Sequence, residues 1–98
     1  MLLSEKVTKE ITKILPEVRK DLQVELYKSI GYFPKQGFYS DAVVLDAFYN
    51  QASKFLYMTG LNEKEVEKFC SGDMPITSEN RKTIYKITTL TLVQLAMI

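Results

Sequence analysis

The strongest constraint on the fold of this chain is a run of regularly spaced apolar residues near its middle. They recur three or four positions apart, at Val44, Phe48, Ala52 and Phe55. Residues with this spacing lie on one face of an α-helix, so the run predicts an amphipathic helix with a buried stripe. Ser40 can accept a hydrogen bond from a free amide at the start of that helix. We therefore predict a long central helix from Ser40 through Thr59.

A second apolar stripe precedes the central helix. It follows a candidate cap at Ser4 and consists of Val7, Ile11, Ile14, Leu15, Val18, Leu22 and Leu26. Pro16 falls inside the stripe, and proline is tolerated best in the first turn of a helix because it lacks a backbone N–H. The stripe is therefore interpreted either as one bent helix or as two short helices that meet at Pro16. Gly31 is the predicted C-terminal stop.

The last part of the chain has a pattern with two interpretations. Thr77 can cap a helix, and the buried face of that helix would consist of Ile84, Ile87, Leu90 or Thr91, and Leu95. Residues 83–93 are also rich in β-branched types, which favour a strand. The charged and polar first turn that follows Thr77 favours the helix.

These patterns predict an all-α fold in one helical domain that spans residues 1–98. It would contain five helices, or four with a kinked first helix, and its C-terminal half would resemble a helix-turn-helix. A chain of 98 residues can bury one modest core. We expect that core to join the helices through a cluster of Phe48, Phe55, Val66, Phe69 and Ile84.

The residues after the central helix predict a tight turn into a short helix from Glu63 to Cys70. Gly60 can take a positive φ at little steric cost, and Leu61 can fill the turn. Asn62 and Glu65 have the spacing of a capping box, in which two side chains satisfy free amides at a helix start. On the short helix, Val66 and Phe69 would pack against Phe55 and set the angle between the two helices.

This segment resembles the lambda-repressor-like (Xre) helix-turn-helix family, and its second half is similar to the part of HigA-type antitoxins that follows the recognition helix. The resemblance covers about residues 52–86 and rests on Phe55, Gly60, Leu61, Val66, Phe69, Gly72, Pro75, Ile76 and Thr77. The sequence departs from the family pattern at Leu56, where a small residue is usual, and at Thr59, where an apolar one is usual.

The resemblance implies a small DNA-binding regulator of phage, plasmid or toxin-antitoxin type. It would place the second helix in the major groove of double-stranded DNA. The implied DNA-binding residues are Asn62, Lys64, Lys68, Arg81 and Lys82. Glu63 and Glu67 would then also face the phosphates, which only a contact such as carboxylate to cytosine N4 would offset.

An aromatic segment supports an alternative function. Residues 31–39 contain four aromatic residues together with two glycines and one proline, so they predict a loop with a large apolar surface. In one interpretation this loop closes the core. In the other, a helical protein-protein interaction module without DNA binding, such as an antitoxin, immunity protein or inhibitor, binds its partner through Tyr32, Phe33, Phe38 and Tyr39.

Composition argues against several kinds of chemistry. The chain contains no histidine and a single cysteine, Cys70, so His-based catalysis, His metal ligation and an internal disulfide are excluded. We expect no catalytic residue, no metal site and no cofactor, and we expect Cys70 to be a half-buried helix residue. The net charge is +1, and neither half of the chain is a basic arm.

The two ends of the chain suggest where the protein resides and how it assembles. The N-terminus lacks the pattern of a signal peptide, and the uncharged run from Ile87 to Ile98 has 12 residues, too few to cross a bilayer. We therefore expect a cytoplasmic protein that does not bind membranes. The same uncharged run predicts a homodimer, because one small core does not absorb all of its apolar surface.

Overall fold

The computed structural model describes residues 3–30, 40–72 and 75–96. In these ranges the chain forms four helices and no strand, so the all-α prediction is confirmed. They are α1 (Glu5–Ile30), α2 (Asp41–Met58), α3 (Glu63–Ser71) and α4 (Ser78–Ala96). Helix α4 packs against both α1 and α2, and α3 packs against α2. The core therefore lies where α4 meets the two long helices.

Helix α1 is 26 residues long and continues through Pro16 without a break. A proline inside a helix removes one backbone hydrogen bond and crowds the preceding turn. Leu15 and Val18, on either side of Pro16, are both buried in the same core. Their burial offsets the local cost, because most helical stability in proteins comes from packing an apolar face. Pro16 thus does not open a helix of its own, and the stop predicted at Gly31 lies outside the described residues.

Helix α4 includes residues 83–93, so the strand interpretation of this segment is wrong. The threonines among its β-branched residues are accommodated because their hydroxyls donate to carbonyls within the helix. Thr88 Oγ1 donates to the carbonyl of Ile84, and Thr91 Oγ1 donates to that of Ile87, both at 2.7 Å. Both threonines are fully buried, whereas Leu90 is 43% exposed. Of the two residues predicted as alternatives, Thr91 therefore faces the core.

The core contains most, but not all, of the cluster predicted from the sequence. Phe48, Val66 and Ile84 are fully buried. Phe55 and Phe69 are only half-buried and pack against the edge of the core. On α3, Val66 and Cys70 are buried four residues apart, which turns Phe69 toward the edge. On α2, the buried stripe ends with Leu56, so the neighbouring Phe55 also lies at the edge.

Hydrogen bonds and an ion pair connect α1 to each of the other helices. The amide of Ser4 donates to the carbonyl of Cys70 at 2.7 Å, which joins the start of α1 to the end of α3. An ion pair of 2.8 Å connects Arg19 Nη2 with Asp41 Oδ1 at the start of α2. Helix α4 contacts α1 through the Tyr85 hydroxyl, which donates to Asp21 Oδ2 at 2.5 Å. The first contact holds the start of α1 against α3, and the other two hold the middle of α1 against α2 and α4.

Truncating the most buried large side chain should test the core. Phe48→Ala should lower the free energy of unfolding by about 3 to 5 kcal/mol, because it removes a fully buried ring and leaves a cavity. Phe55→Ala should cost clearly less, since that ring is half-buried. Urea denaturation followed by circular dichroism measures both values. Equal losses for the two variants would contradict the burial described above.

The Tyr85 contact predicts a pH dependence of stability at alkaline pH. The hydrogen bond to Asp21 raises the pKa of Tyr85 from 10.0 to about 12. Because the folded-state pKa is the higher one, the stabilisation is complete below about pH 10 and is lost as the pH rises through about 12. The difference in free energy of unfolding between the parent and Tyr85→Phe should therefore shrink over this range.

An ultraviolet titration of the tyrosines provides an independent measurement of the same contact. The parent should show a late phenolate step that Tyr85→Phe lacks. Tyr57→Phe is the matched control. Because Tyr57 is 48% exposed, replacing it should leave the late step in place. A late step that persists in Tyr85→Phe would show that another tyrosine is responsible.

Candidate functional site

The turn between α2 and α3 is built around Gly60. Its φ is +92°, which lies in the left-handed region that residues with a Cβ rarely adopt. The Gly60 amide donates to the carbonyl of Tyr57 at 3.0 Å, and the Leu61 amide donates to that of Leu56 at 3.0 Å. These bonds satisfy carbonyls that the end of α2 would otherwise leave free. The turn predicted at Gly60 is therefore present, and Leu61 is half-buried within it.

Helix α3 begins with the predicted capping box. Asn62 Oδ1 accepts from the amide of Glu65 at 3.0 Å, and Glu65 Oε1 accepts from the amide of Asn62 at 3.2 Å. The box satisfies two amides at the start of a helix of only 9 residues. It also holds the Asn62 oxygen against its own backbone. That oxygen is therefore occupied as an acceptor, although Asn62 itself is exposed.

The outward side of α3 is charged and open. Its exposed residues are Glu63, Lys64, Glu65, Glu67 and Lys68. No other part of the described chain covers them, so the short helix is accessible along its length. Lys64 and Lys68 are one turn apart and line the same shallow depression. Like charges at this spacing repel each other, and a bound anion would relieve the repulsion.

The remaining predicted DNA-binding residues lie on α4. Arg81 and Lys82 are both exposed. Arg81 Nε lies 3.5 Å from Glu10 Oε1 of α1, so its charge is partly neutralised within the chain. Lys82 lines a groove other than the depression beside Lys64 and Lys68. The structure therefore brings together the two lysines of α3 but not all five predicted residues.

One residue of the depression, Ser71, was missed by the sequence analysis. The depression has a volume of about 340 Å³, and Ser71 and Gly72 line it together with the two lysines and Glu67. The Ser71 Oγ is buried and has no hydrogen-bond partner within the described ranges. An unpaired buried hydroxyl is costly and is a potential donor to a ligand oxygen. No sequence signal distinguishes this serine, because its environment depends on how α3 ends.

A larger groove lies between the end of α2, helix α3 and the first half of α4. We call it the α2–α4 groove. Its volume is about 440 Å³, and its apolar lining comes from Phe55, Leu56, Leu61 and Phe69. Charged residues of α4 form its rim, namely Glu79, Lys82 and Lys86. The half-buried rings of Phe55 and Phe69 thus remain accessible at the junction predicted to resemble a helix-turn-helix.

The side chain of Cys70 is more deeply buried than the sequence predicted. The side chain is fully buried, not half-buried, because α3 turns it toward the core. Desolvation raises the pKa of the thiol from 9.0 to about 11. The thiolate is the reactive form of cysteine, so Cys70 stays protonated and unreactive near neutral pH.

Other kinds of site can be assessed only for the described part of the chain. There, no group of three or more Cys, Asp and Glu residues is placed to hold a metal ion. None of the described helices combines the length and the apolar character needed to cross a membrane. The aromatic residues predicted as a partner-binding loop, Tyr32, Phe33, Phe38 and Tyr39, lie outside the described residues.

No family model matches this chain, and comparisons with curated proteins and with solved structures return no similar protein.

The turn can be tested by comparing two substitutions of Gly60, one to alanine and one to asparagine. Gly60→Ala should cost about 1 to 2 kcal/mol of stability, because the positive φ is strained for alanine although the space around it is open. Gly60→Asn should cost less, since asparagine visits this conformation more readily. Thermal and urea denaturation of the parent and the two variants measure the order of their stabilities. A Gly60→Ala protein as stable as the parent would contradict the positive φ.

Gly72→Ala provides a contrast to Gly60→Ala, because its loss of stability should have another cause. The φ of Gly72 is −77°, which any residue adopts. An added Cβ would lie 2.4 Å from the Lys68 carbonyl oxygen, a backbone atom. Gly72→Asn should therefore be at least as destabilising as Gly72→Ala, the reverse of the order at Gly60.

Proposed function

We propose that this chain is a small cytoplasmic DNA-binding regulator that uses α2 and α3 as a helix-turn-helix. The observation that supports this function best is the geometry of α3. It is short, capped, charged and exposed, and it leaves α2 through a turn held by the positive φ of Gly60. A helix that enters the major groove needs this accessibility, together with a partner helix that packs behind it.

The phosphate contacts in this proposal centre on Lys64, Lys68 and Ser71. The two lysines lie one turn apart beside the unpartnered Ser71 hydroxyl, and all three line one depression. Lysine and serine side chains are common phosphate ligands in protein-DNA complexes. Lys82 would reach phosphate from α4, whereas Arg81 would first have to leave Glu10. Asn62 would contribute through its amide nitrogen, because its oxygen caps α3.

The acidic residues of α3 determine what kind of binding to expect. Glu63 and Glu67 are exposed on the same short helix as the two lysines. Each carboxylate near the DNA backbone opposes binding unless it accepts a hydrogen bond, for example from cytosine N4. Affinity should therefore be modest and strongly salt-dependent, and replacing the two carboxylates by amides should strengthen binding to mixed-sequence DNA.

The proposal includes a homodimer, as expected for helix-turn-helix proteins that bind two half-sites. Part of the C-terminal apolar run packs within its own chain, since Leu92 is fully buried and Val93 and Leu95 are partly buried. The surface left for a dimer includes Leu90, which is 43% exposed. Size-exclusion chromatography with light scattering measures the mass, and a strict monomer at high concentration would remove the dimer from the proposal.

A second candidate function is a helical protein-protein interaction module that does not bind DNA. The observation that favours it is the α2–α4 groove, which presents apolar side chains where α2, α3 and α4 meet. This candidate also assigns partner contacts to the aromatic segment predicted from the sequence, through Tyr32, Phe33, Phe38 and Tyr39. For an interaction module, Tyr32→Ala or Tyr39→Ala would weaken partner binding, whereas lysine substitutions on α3 would have no effect on it.

DNA binding can be tested with a fluorescein-labelled mixed-sequence duplex whose anisotropy is titrated at several salt concentrations. Lys64→Ala/Lys68→Ala should weaken binding and lower the slope of log affinity against log salt by about 2, since each lost phosphate contact contributes about 0.9. Glu63→Gln/Glu67→Gln should change affinity in the opposite direction. Both pairs are exposed and should leave the fold intact.

The matched control is Lys13→Ala/Lys20→Ala, which removes the same charge from the exposed surface of α1. It should alter DNA affinity far less than the α3 pair. If both pairs have the same effect, binding follows net charge and does not involve α3. If the parent shows no salt-sensitive binding at all, DNA binding is excluded and the interaction module becomes the preferred function.

A further inference from the structure

The α2–α4 groove has an apolar floor that no residue of the described ranges covers. The rings of Phe55 and Phe69 and the side chain of Leu61 line it while remaining only half-buried. Met58, three residues after Phe55 and therefore on a neighbouring part of the same helix side, is 87% exposed. Accessible apolar side chains grouped in this way are characteristic of binding surfaces.

The groove can accommodate several side chains of a ligand. Its volume is about 440 Å³, within the usual range of about 300 to 1,000 Å³ for binding pockets. Three helices border the groove, and it is open to solvent, so it does not form a closed cavity. Two or three aliphatic side chains that project from one side of a rod-like segment would match this shape.

The chemistry of the floor determines the conformation of the ligand. Phenylalanine and leucine side chains provide no hydrogen-bond donors or acceptors. The polar side chains of the lining, Thr59, Asn80 and Thr83, already donate to backbone carbonyls of the chain. An extended or polyproline peptide would bury backbone groups against this floor without partners, which costs free energy. A helix satisfies its own backbone groups. The described residues also form no strand to which an extended peptide could add.

The rim of the groove determines the charge of the ligand. Glu79 lies three residues before Lys82 and partly compensates it on the surface of α4. Lys86 has Lys82 one turn before it, and it has no acidic residue three or four positions away in either direction. The two lysines therefore repel each other, and a carboxylate placed between them would be stabilised. Lys86 is exposed and free to reach such a group.

We propose that the α2–α4 groove binds an acidic amphipathic helix of a partner protein. Its apolar side chains, spaced three or four residues apart, insert among Phe55, Leu61 and Phe69, and a flanking carboxylate pairs with Lys86. This site is separate from the depression of Lys64 and Lys68 proposed for phosphate. A regulator with both sites would receive a protein signal next to its DNA-contacting helix.

Synthetic peptides can test this inference directly. The probe is a fluorescein-labelled helical peptide with leucines at positions i, i+3, i+4 and i+7 and glutamates at the flanking positions, prepared in each leucine register. A second set replaces every glutamate by lysine. The parent protein should bind one register of the acidic set in a saturable way and bind the basic set at least about threefold more weakly.

Charge reversal on the rim identifies where the peptide binds. Lys86→Glu should weaken binding of the acidic peptide and strengthen binding of the basic one. Lys20→Glu on α1 should change neither affinity. Both lysines are exposed, so neither variant is expected to unfold. Leu61→Ala should also weaken binding of the acidic peptide. The circular dichroism spectrum and melting curve of this variant verify that it remains folded.

Three outcomes would overturn the inference. One is that no register of the acidic set binds, and another is that acidic and basic sets bind equally. The third is that Lys86→Glu changes the dimer mass or DNA binding but not peptide binding, which would assign the rim to a second copy or to phosphate. DNA binding that depends on Lys64 and Lys68 would survive any of these results, so the two proposals fail separately.

Discussion

The packing of α4 against both α1 and α2 is the interaction on which the rest of the structure depends. Helix α4 places Ile84, Ile87 and Leu92 in the core, where they meet the buried face of α2 around Phe48. It also buries two threonines, whose hydroxyls donate to carbonyls of their own helix. Without these internal bonds the β-branched segment would carry unpaired polar groups into the core. The α2–α4 groove exists only because α4 is held in this place.

Helix α3 depends on that core in a different way. It is too short to be stable alone, because isolated helices of this length are marginal in water. Three features compensate: the capping box at its start, the burial of Val66 and Cys70, and the bond from the Ser4 amide to the Cys70 carbonyl at its end. They constrain the buried side of α3 and leave the opposite side free. An exposed helix with a fixed orientation is what both proposed functions require.

The two proposed surfaces share α3 but use different sides of it. Lys64, Lys68 and Ser71 line the depression, whereas Phe69 faces the α2–α4 groove. Lys68 also contributes to a small pocket with Leu61 and Phe69, so the surfaces adjoin. A partner in the groove would therefore bring its carboxylates close to the lysines proposed for phosphate. Such a partner would compete with DNA through charge repulsion even without covering the lysines.

The sequence by itself determined α2, α3 and the turn between them. Four-residue steps predicted α2, and Ser40, Gly60, Asn62 and Glu65 have the hydrogen bonds or the backbone conformation that their spacing predicts. These features are local, since each depends on residues only a few positions apart. Local rules did not decide whether α1 continues through Pro16 or whether residues 83–93 form a helix, because burial in a shared core outweighs the weak preferences of single residues.

Only the tertiary structure decided which side of each helix is buried. Both Phe55 and Phe69 fit the apolar pattern of a core, yet they lie at its edge, because α2 buries Leu56 and α3 buries Cys70 in their places. The same packing leaves the Ser71 hydroxyl without a partner among the described residues, pairs Arg81 with Glu10, and separates Lys82 from the lysines of α3. Spacing along the chain predicts which residues share a helix face, but the direction in which that face points is determined by contacts between residues far apart in sequence.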